Sequence, residues 1–220
     1  MEAPTDVRSR ARRALKAEVA QVAVDLFLAN GFDATTVDQI AQAAGMSRAT
    51  FFRYFRTKED VVLDQAADFG AHIRDALVDR PDGEPLWTAL RRCLDPVVAA
   101  HKLHWDMAVR MTQMMNRTPS IRARHHEGTI AWQAALLPEV TRRLHEGSGA
   151  GARTGTGTTD PRPGALVASA LSCLDAAVDA WADDPADTDL AELLDAAMGA
   201  VGATPSGLPS TRRDPSPGPA

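Results

Sequence analysis

Apolar residues recur three and four positions apart along most of the chain, and no stretch shows the alternation that a half-buried strand requires. The expected fold class is all-α. Val19, Val22, Ala23, Leu26 and Phe27 share one helical face, and Asn30-Gly31 ends that helix in a left-handed turn. A second helix starts at Thr36, where "TVDQ" forms a capping box: the Thr36 hydroxyl serves the Gln39 amide, and the Gln39 side chain reaches back. Its apolar face is Val37, Ile40, Ala41 and Ala44. After Gly45, Ser47 caps a short third helix, with Met46 and Phe51 placed as a hydrophobic staple. Thr57 caps a fourth, which runs through Val62, Ala66, Phe69, Ile73 and Leu77 until Pro81 ends it.

The remaining pattern predicts five more helices, about nine in all. Leu86, Leu90, Leu94 and Val97 mark a fifth, bent at Pro96; Leu103, Met107, Met111 and Met114 mark a sixth. Thr118-Pro119 opens a long seventh helix through Trp132 toward about Leu144, with a kink expected at Pro138. Residues 147–164 are Gly/Thr-rich without large apolar residues and read as a flexible loop. Residues 165–181 are apolar on most sides, which predicts an eighth helix buried on more than one face. Leu190, Leu193, Leu194, Ala197, Met198 and Val201 give an amphipathic ninth helix. The Pro/Ser/Gly-rich residues 203–220 read as a disordered tail. The expected division is an N-terminal domain over 1–62, comprising a basic arm and three helices, and a helical C-terminal domain over 63–202.

Composition excludes several classes. No uninterrupted apolar run approaches the roughly 18 residues of a spanning helix, and the N-terminus lacks a signal-peptide core, so the expected location is cytoplasmic. Cys93 and Cys173 lie far apart in apolar patterns and read as small buried hydrophobes rather than a metal or redox pair. The net charge of −5 conceals an asymmetry: residues 1–62 carry nine basic against eight acidic groups, whereas 63–220 carry 15 against 21.

The chemistry concentrates in "MSRATFFRYF", residues 46–55, where three phenylalanines and the only tyrosine bracket two arginines. At about 100° per residue, Phe51 and Phe55 fall on one face of the third helix, while Ala49 and Arg53 fall opposite, flanked by Thr50 and Phe52. Small, methyl-bearing and guanidinium groups are what major-groove readout uses: Arg for guanine O6 and N7, and apolar contact for the thymine methyl. Two short helices joined by a Gly-containing turn form a helix-turn-helix unit, whose second helix enters the major groove. Thr36, Ser47, Arg48, the Tyr54 hydroxyl and Lys58 are candidates for phosphate contact, and "RSRARRALK", residues 8–16, adds basic charge.

"TTVDQIAQAAGMSRATFFRYFRTKEDVV", residues 35–62, resembles the DNA-binding region of the TetR family of bacterial transcriptional regulators, with Gly45, Ser47, Thr50, Tyr54, Phe55, Lys58, Glu59 and Asp60 in register. The resemblance implies a homodimer, usually a repressor, that binds a palindromic DNA operator and releases it when a small molecule enters the C-terminal domain. Two positions depart from the pattern. Phe52 stands where tyrosine is usual and cannot donate to phosphate; Arg56 stands where proline is common, as a salt-sensitive contact or a solvated charge.

Residues 110–144 are similar to TetR-family C-terminal domains that take acyl-CoA-like ligands, through Thr118-Pro119, "IRAR" and Trp132. Trp105, Met107, Met111, Met114, Met115 and Trp132 are the candidate ligand-binding residues; methionine fills irregular space and adapts to varied ligands, and plain core packing is the competing reading. Five of the six histidines lie at 101, 104, 125, 126 and 145 without a metal-ligand spacing, so they are read as solvated or hydrogen-bonded. No metal or cofactor is expected, and no nucleophile, base and orienting set points to an enzyme. The apolar surface of the last two helices predicts dimerisation there. The expected partners are double-stranded DNA, a hydrophobic or acyl-CoA-like effector and a second copy of the chain, with no membrane. The alternative function is a small-molecule binding or sequestering protein whose helix-turn-helix no longer acts.

Overall fold

A computed structural model describes residues 4–67, 69–147 and 160–202. Eleven helices and no strand occur among them: α1 (Pro4–Asn30), α2 (Val37–Ala43), α3 (Arg48–Tyr54), α4 (Lys58–Ala67), α5 (Phe69–Val78), α6 (Leu86–Cys93), α7 (Asp95–Leu103), α8 (Trp105–Arg117), α9 (Pro119–Gly147), α10 (Arg162–Asp183) and α11 (Leu190–Gly202). The excess over nine has two sources. The expected fourth helix is described as α4 and α5 on either side of residue 68. The expected fifth is two helices meeting at Leu94, because Pro96, which lacks an amide hydrogen, sits in the first turn of α7, where no intrahelical donor is needed.

The expected loop over 147–164 falls mainly on residues 148–159, outside the described residues, as does the expected tail over 203–220. Its last residues are helical: α10 begins at Arg162, and Pro163 is accommodated in the first turn. The basic segment at 8–16 is likewise not a separate arm but part of α1, with Arg8, Arg10, Arg12 and Arg13 exposed.

Two apolar clusters form the core. The first joins α1 through Ala23, Val24 and Phe27, α2 through Ile40, α3 through Phe51 and α4 through Val61 and Val62, with Phe55 between α3 and α4. Met114 of α8 and Ile121 of α9 complete it. The second cluster packs α5 to α7 against α8 to α11. Its centre is α10, which lies against α8, α9 and α11 and buries Val167, Leu171, Leu174, Val178 and Trp181. By length and composition α10 is apolar enough to cross a membrane; in this fold half of its most apolar window is buried in the bundle.

A charged clamp fixes α9 across the end of α5. The buried Arg143 side chain donates to the carbonyl oxygens of Leu77 at 2.9 Å, Arg80 at 2.7 Å and Pro81 at 3.1 Å, gathering acceptors at the end of α5 and in the turn that follows it. Glu139 receives Arg143 Nε at 2.7 Å and Arg142 at 2.6 and 2.9 Å. Hydrogen bonding to Arg142 and then Arg143 outweighs desolvation and holds the Glu139 carboxyl down at about 2, against an ordinary value of 4.5. A depressed carboxyl stabilises the fold fully above pH 4.5 and loses that contribution as pH falls toward 2. Glu139→Gln is expected to lower unfolding stability at pH 7 by about 2 kcal/mol and to flatten the acid limb below pH 4.5, both read from urea unfolding across pH.

Candidate nucleic-acid interface and ligand cavity

The turn between α2 and α3 is built by local chemistry. Gly45 adopts φ 66°, in the left-handed region that suits glycine, and the Met46 amide bonds the Ala41 carbonyl oxygen at 2.9 Å. The Thr36–Gln39 capping box is present in both directions. The Ser47 hydroxyl accepts the Thr50 amide at 3.0 Å and shares a 2.9 Å bond with the Thr50 hydroxyl. Phe51 is wholly buried and packs on Phe55 at 5.2 Å, so α3 is anchored from within by the two rings that its spacing predicts.

The opposite side of α3 presents Arg48, Ala49, Phe52 and Arg53 to solvent, with Thr50 and Tyr54 half-buried beside them. Arg48 pairs with Asp38 of α2 through two bonds of 2.9 and 3.1 Å and lies over the Phe52 ring at 5.4 Å. The guanidinium groups of Arg53 and of Arg12 in α1 each lie 5.4 Å from the Tyr54 ring. The basic start of α1 and the end of α3 are therefore held together by one aromatic ring. Phe52 is 44% exposed, a large apolar group left on the outer surface.

Lys58 is placed differently from the phosphate grip expected of it. Its ammonium donates to the carbonyl oxygens of Phe32 at 2.6 Å, Thr35 at 3.2 Å and Asp33 at 3.4 Å, and lies 4.2 Å from the Phe32 ring. Three donors meet three acceptors, so the charge is used to tie α4 to the α1–α2 turn. The spacing of Lys58 from Ser47 is informative about neither partner, because the turn lies 25 residues upstream.

A cavity of about 360 Å³ lies among α4, α5 and α7 to α10. Met107, Met111, Met115 and Trp132 line it as expected. Trp105 and Met114 do not: Trp105 opens α8 and is 45% exposed, whereas Met114 turns into the N-terminal cluster beside Ile121. Residues 107, 111 and 115 make a stripe at a four-residue spacing, and Met114 stands about 100° from Met115. Sequence reasoning missed Phe69, Val97 and the polar lining of His101, His104, Arg122, His125, His126, Asp175 and Asp179. The histidine pairs were visible in the sequence; the fold, not their spacing, brings them together. Among the described residues, no group of three or more His, Cys, Asp and Glu is arranged to hold a metal ion. Trp132 fits against α5 because Gly70 lacks a side chain, and a Cβ there would stand 2.6 Å from the Trp132 ring.

A second cavity of about 400 Å³ separates α3 from α9, with Tyr54, Arg56, Asp60, Arg124 and Gly128 on its walls; Leu63, His125 and Trp132 border both spaces. Asp60 is the hub of its polar side. One carboxylate oxygen accepts the amides of Arg56 at 3.1 Å and Thr57 at 3.2 Å, and the other accepts Arg124 Nε at 2.8 Å. Arg124 also pairs with Glu127. The start of α4 and the second turn of α9 are thus joined by a charge-assisted bond.

A helix-turn-helix unit mounted on a helical domain with its own cavity defines a ligand-regulated DNA-binding class. The family model described as "Bacterial regulatory proteins, tetR family" matches residues 20–64, and the one described as "MftR C-terminal domain" matches residues 84–205. A Mycobacterium tuberculosis protein named as a mycofactocin biosynthesis transcriptional regulator, MftR, is 30% identical over 200 residues, covering 88% of this chain and 92% of that one. Two solved structures are similar in fold. Thermus thermophilus FadR in complex with lauroyl-CoA has a TM-score of 0.57 at 22% identity, over 93% of this chain and all of that one; Bacillus subtilis FadR in complex with stearoyl-CoA has 0.58 at 16%, over 85% and 97%. The chain belongs to the TetR family, whose members are transcriptional regulators and not enzymes.

Lys58→Met keeps an unbranched side chain, one atom shorter, and removes the three carbonyl bonds. It is expected to lower stability by about 1–3 kcal/mol, read as a fall in the urea midpoint, and a variant as stable as wild type would contradict the structural role given to Lys58.

Proposed function

We propose that the protein is a cytoplasmic, ligand-responsive repressor that binds a palindromic operator as a homodimer and releases it when a small molecule occupies the cavity at Met107, Met111, Met115 and Trp132. The observation that carries this reading is α4. Val62 is buried in the N-terminal cluster and also lines the cavity, so one residue touches the support of α3 and the ligand space together. Leu63 continues the link, and the Asp60–Arg124 pair adds a polar one. A ligand shifts the DNA-competent state only by binding the other state more tightly, and α4 is where that difference would be felt.

In this reading Arg53, with Ala49 and Thr50, reads base edges; Ser47, Arg48 and Tyr54 contact phosphate, and Thr36 stands at the N-terminus of α2 beside them. Phe52 contributes an apolar contact in place of the absent hydroxyl. Dimerisation uses α10 and α11, whose outward residues Ser172, Ala176, Ala180, Ala196 and Ala200 are small enough for close helix packing across a twofold axis. The symmetry sets the recognition helices about 34–36 Å apart. The domain boundary falls near residue 62, with α4 shared between the two halves. The methionines and aromatic residues of the cavity lining favour an effector with a large apolar part, and an acyl-CoA-like compound, the class bound in the FadR structures of similar fold, is one candidate.

Selection of genomic fragments with the purified protein is expected to return a palindrome whose binding weakens as salt rises. Arg53→Ala is expected to cut the preference for that palindrome over random DNA by about 10- to 100-fold, whereas Arg12→Ala weakens both alike. Recovery of no preferred sequence would overturn the reading and favour a sequestering role. Arg124→Ala breaks the polar link to Asp60, and it is expected to change operator affinity without altering the apolar lining of the Met107–Met111–Met115 stripe.

A further inference from the structure

Asp38 is the only acidic residue between Asp33 and Glu59, a span that holds both helices of the helix-turn-helix unit and the turn between them. A carboxylate on the side offered to DNA repels phosphate, and this one is bound to a single partner. It is the second residue of α2 and accepts two bonds, of 2.9 and 3.1 Å, from Nη1 of Arg48, the first residue of α3. The two side chains are 61% and 63% exposed, and ion pairs so open to water add little to the stability of a fold.

The Phe52 ring holds the same guanidinium from within α3. Arg48 lies 5.4 Å from that ring, which in turn stands edge-on, at 5.6 Å, to the wholly buried Phe51. The cation is thus fixed between a carboxylate on the neighbouring helix and a ring anchored on the core. Of its five donors only those on Nη1 are engaged; Nε and Nη2 have no partner among the described residues. Arg12 and Arg53 are placed differently. Each lies against Tyr54, and neither has an ion-pair partner among the described residues. Arg48 is therefore the one of these three cations whose direction is set by an acid.

We propose that Asp38 is a specificity-determining residue that acts through Arg48, withholding one phosphate contact from random DNA and leaving it available on the operator. The inference rests on reading α3 as the recognition helix. A free arginine follows its flexible stem to whichever phosphate is near, so it strengthens binding in every register. The pinned guanidinium offers Nε and Nη2 in one direction only. A phosphate lies in that direction when α3 is seated with its base contacts made, and phosphate, guanidinium and carboxylate then form one chain of charge-assisted bonds. On random DNA no base contact fixes the register. Arg48 must there leave Asp38 to reach a phosphate, and the bared carboxylate repels the strand, a cost that falls on the wrong sequence.

Asp38→Asn keeps the size of the side chain and removes its charge. Operator and random duplexes of equal length are titrated, by fluorescence anisotropy over a series of salt concentrations, with wild type, Asp38→Asn, Arg48→Gln and the double variant. Asp38→Asn is expected to bind random DNA about three- to tenfold more tightly, with a salt slope steeper by about one, and to bind the operator within about twofold of wild type. In the Arg48→Gln background the same substitution should leave the ratio of operator to random affinity unchanged, because no guanidinium is left to release. Equal gains on both duplexes show plain repulsion and overturn the inference. A fall in preference that persists without Arg48 overturns it too, as does a ratio that Asp38→Asn fails to move. Each of these results comes with a wild type that prefers its operator; a wild type with no preferred sequence overturns the repressor reading and this inference together.

Discussion

The structure depends on one helix being packed in two cores at once. α4 closes the N-terminal cluster against α1 and, on its other side, lies against α9. Val61 and Val62 are wholly buried in that cluster, and Val62 with Leu63 faces the cavity. Close packing leaves no slack at such a position: a methylene displaced on the cavity side has to be accommodated on the other. The polar contacts repeat the arrangement. Lys58 ties the start of α4 to the α1–α2 turn, and Asp60 ties it to Arg124 of α9, so the same first turn is bonded in both directions. Movement of α4 therefore cannot be confined to one domain.

The remaining architecture keeps the surroundings of α4 stiff. Arg143 and Glu139 pin α9 to the end of α5, and α10 runs through the centre of the larger cluster. With α9 held at that end, the freedom left near the cavity lies around Gly128, Trp132 and the methionine stripe, where side chains of adaptable shape meet the domain junction. A rigid frame around a deformable wall is what a binding-coupled change in helix position requires.

The helix-turn-helix unit was legible in the sequence because its determinants are local. The Thr36 and Ser47 caps, the Gly45 turn and the Phe51–Phe55 spacing each act within about four residues, and all have the geometry that their pattern implies. The bonds of Lys58 were not legible for the opposite reason: its acceptors are set by how α4 folds back on the α1–α2 turn, which no local pattern records. The cavity was half legible. Periodicity identified the Met107–Met111–Met115 stripe, but Met114 and Trp105 satisfied the same compositional test and point elsewhere. His101, Arg122 and Asp175 come from three helices, and only tertiary packing makes them neighbours.

The central claim, that filling the cavity moves the recognition helices, is tested most directly by a distance measured between them. Cys93 and Cys173 are buried, and burial pushes the Cys93 thiol up to about 12, so a spin label placed through Gln42→Cys on the exposed surface of α2 has little competition. Pulsed electron–electron double resonance on the proposed homodimer would compare the protein with and without Ala108→Trp, a substitution that fills the cavity from α8. The account predicts a single label-to-label distance bound to operator DNA and a distribution shifted by several ångströms in the filled protein, together with weaker operator binding. Identical distributions in the two proteins, with unchanged operator affinity, would contradict it.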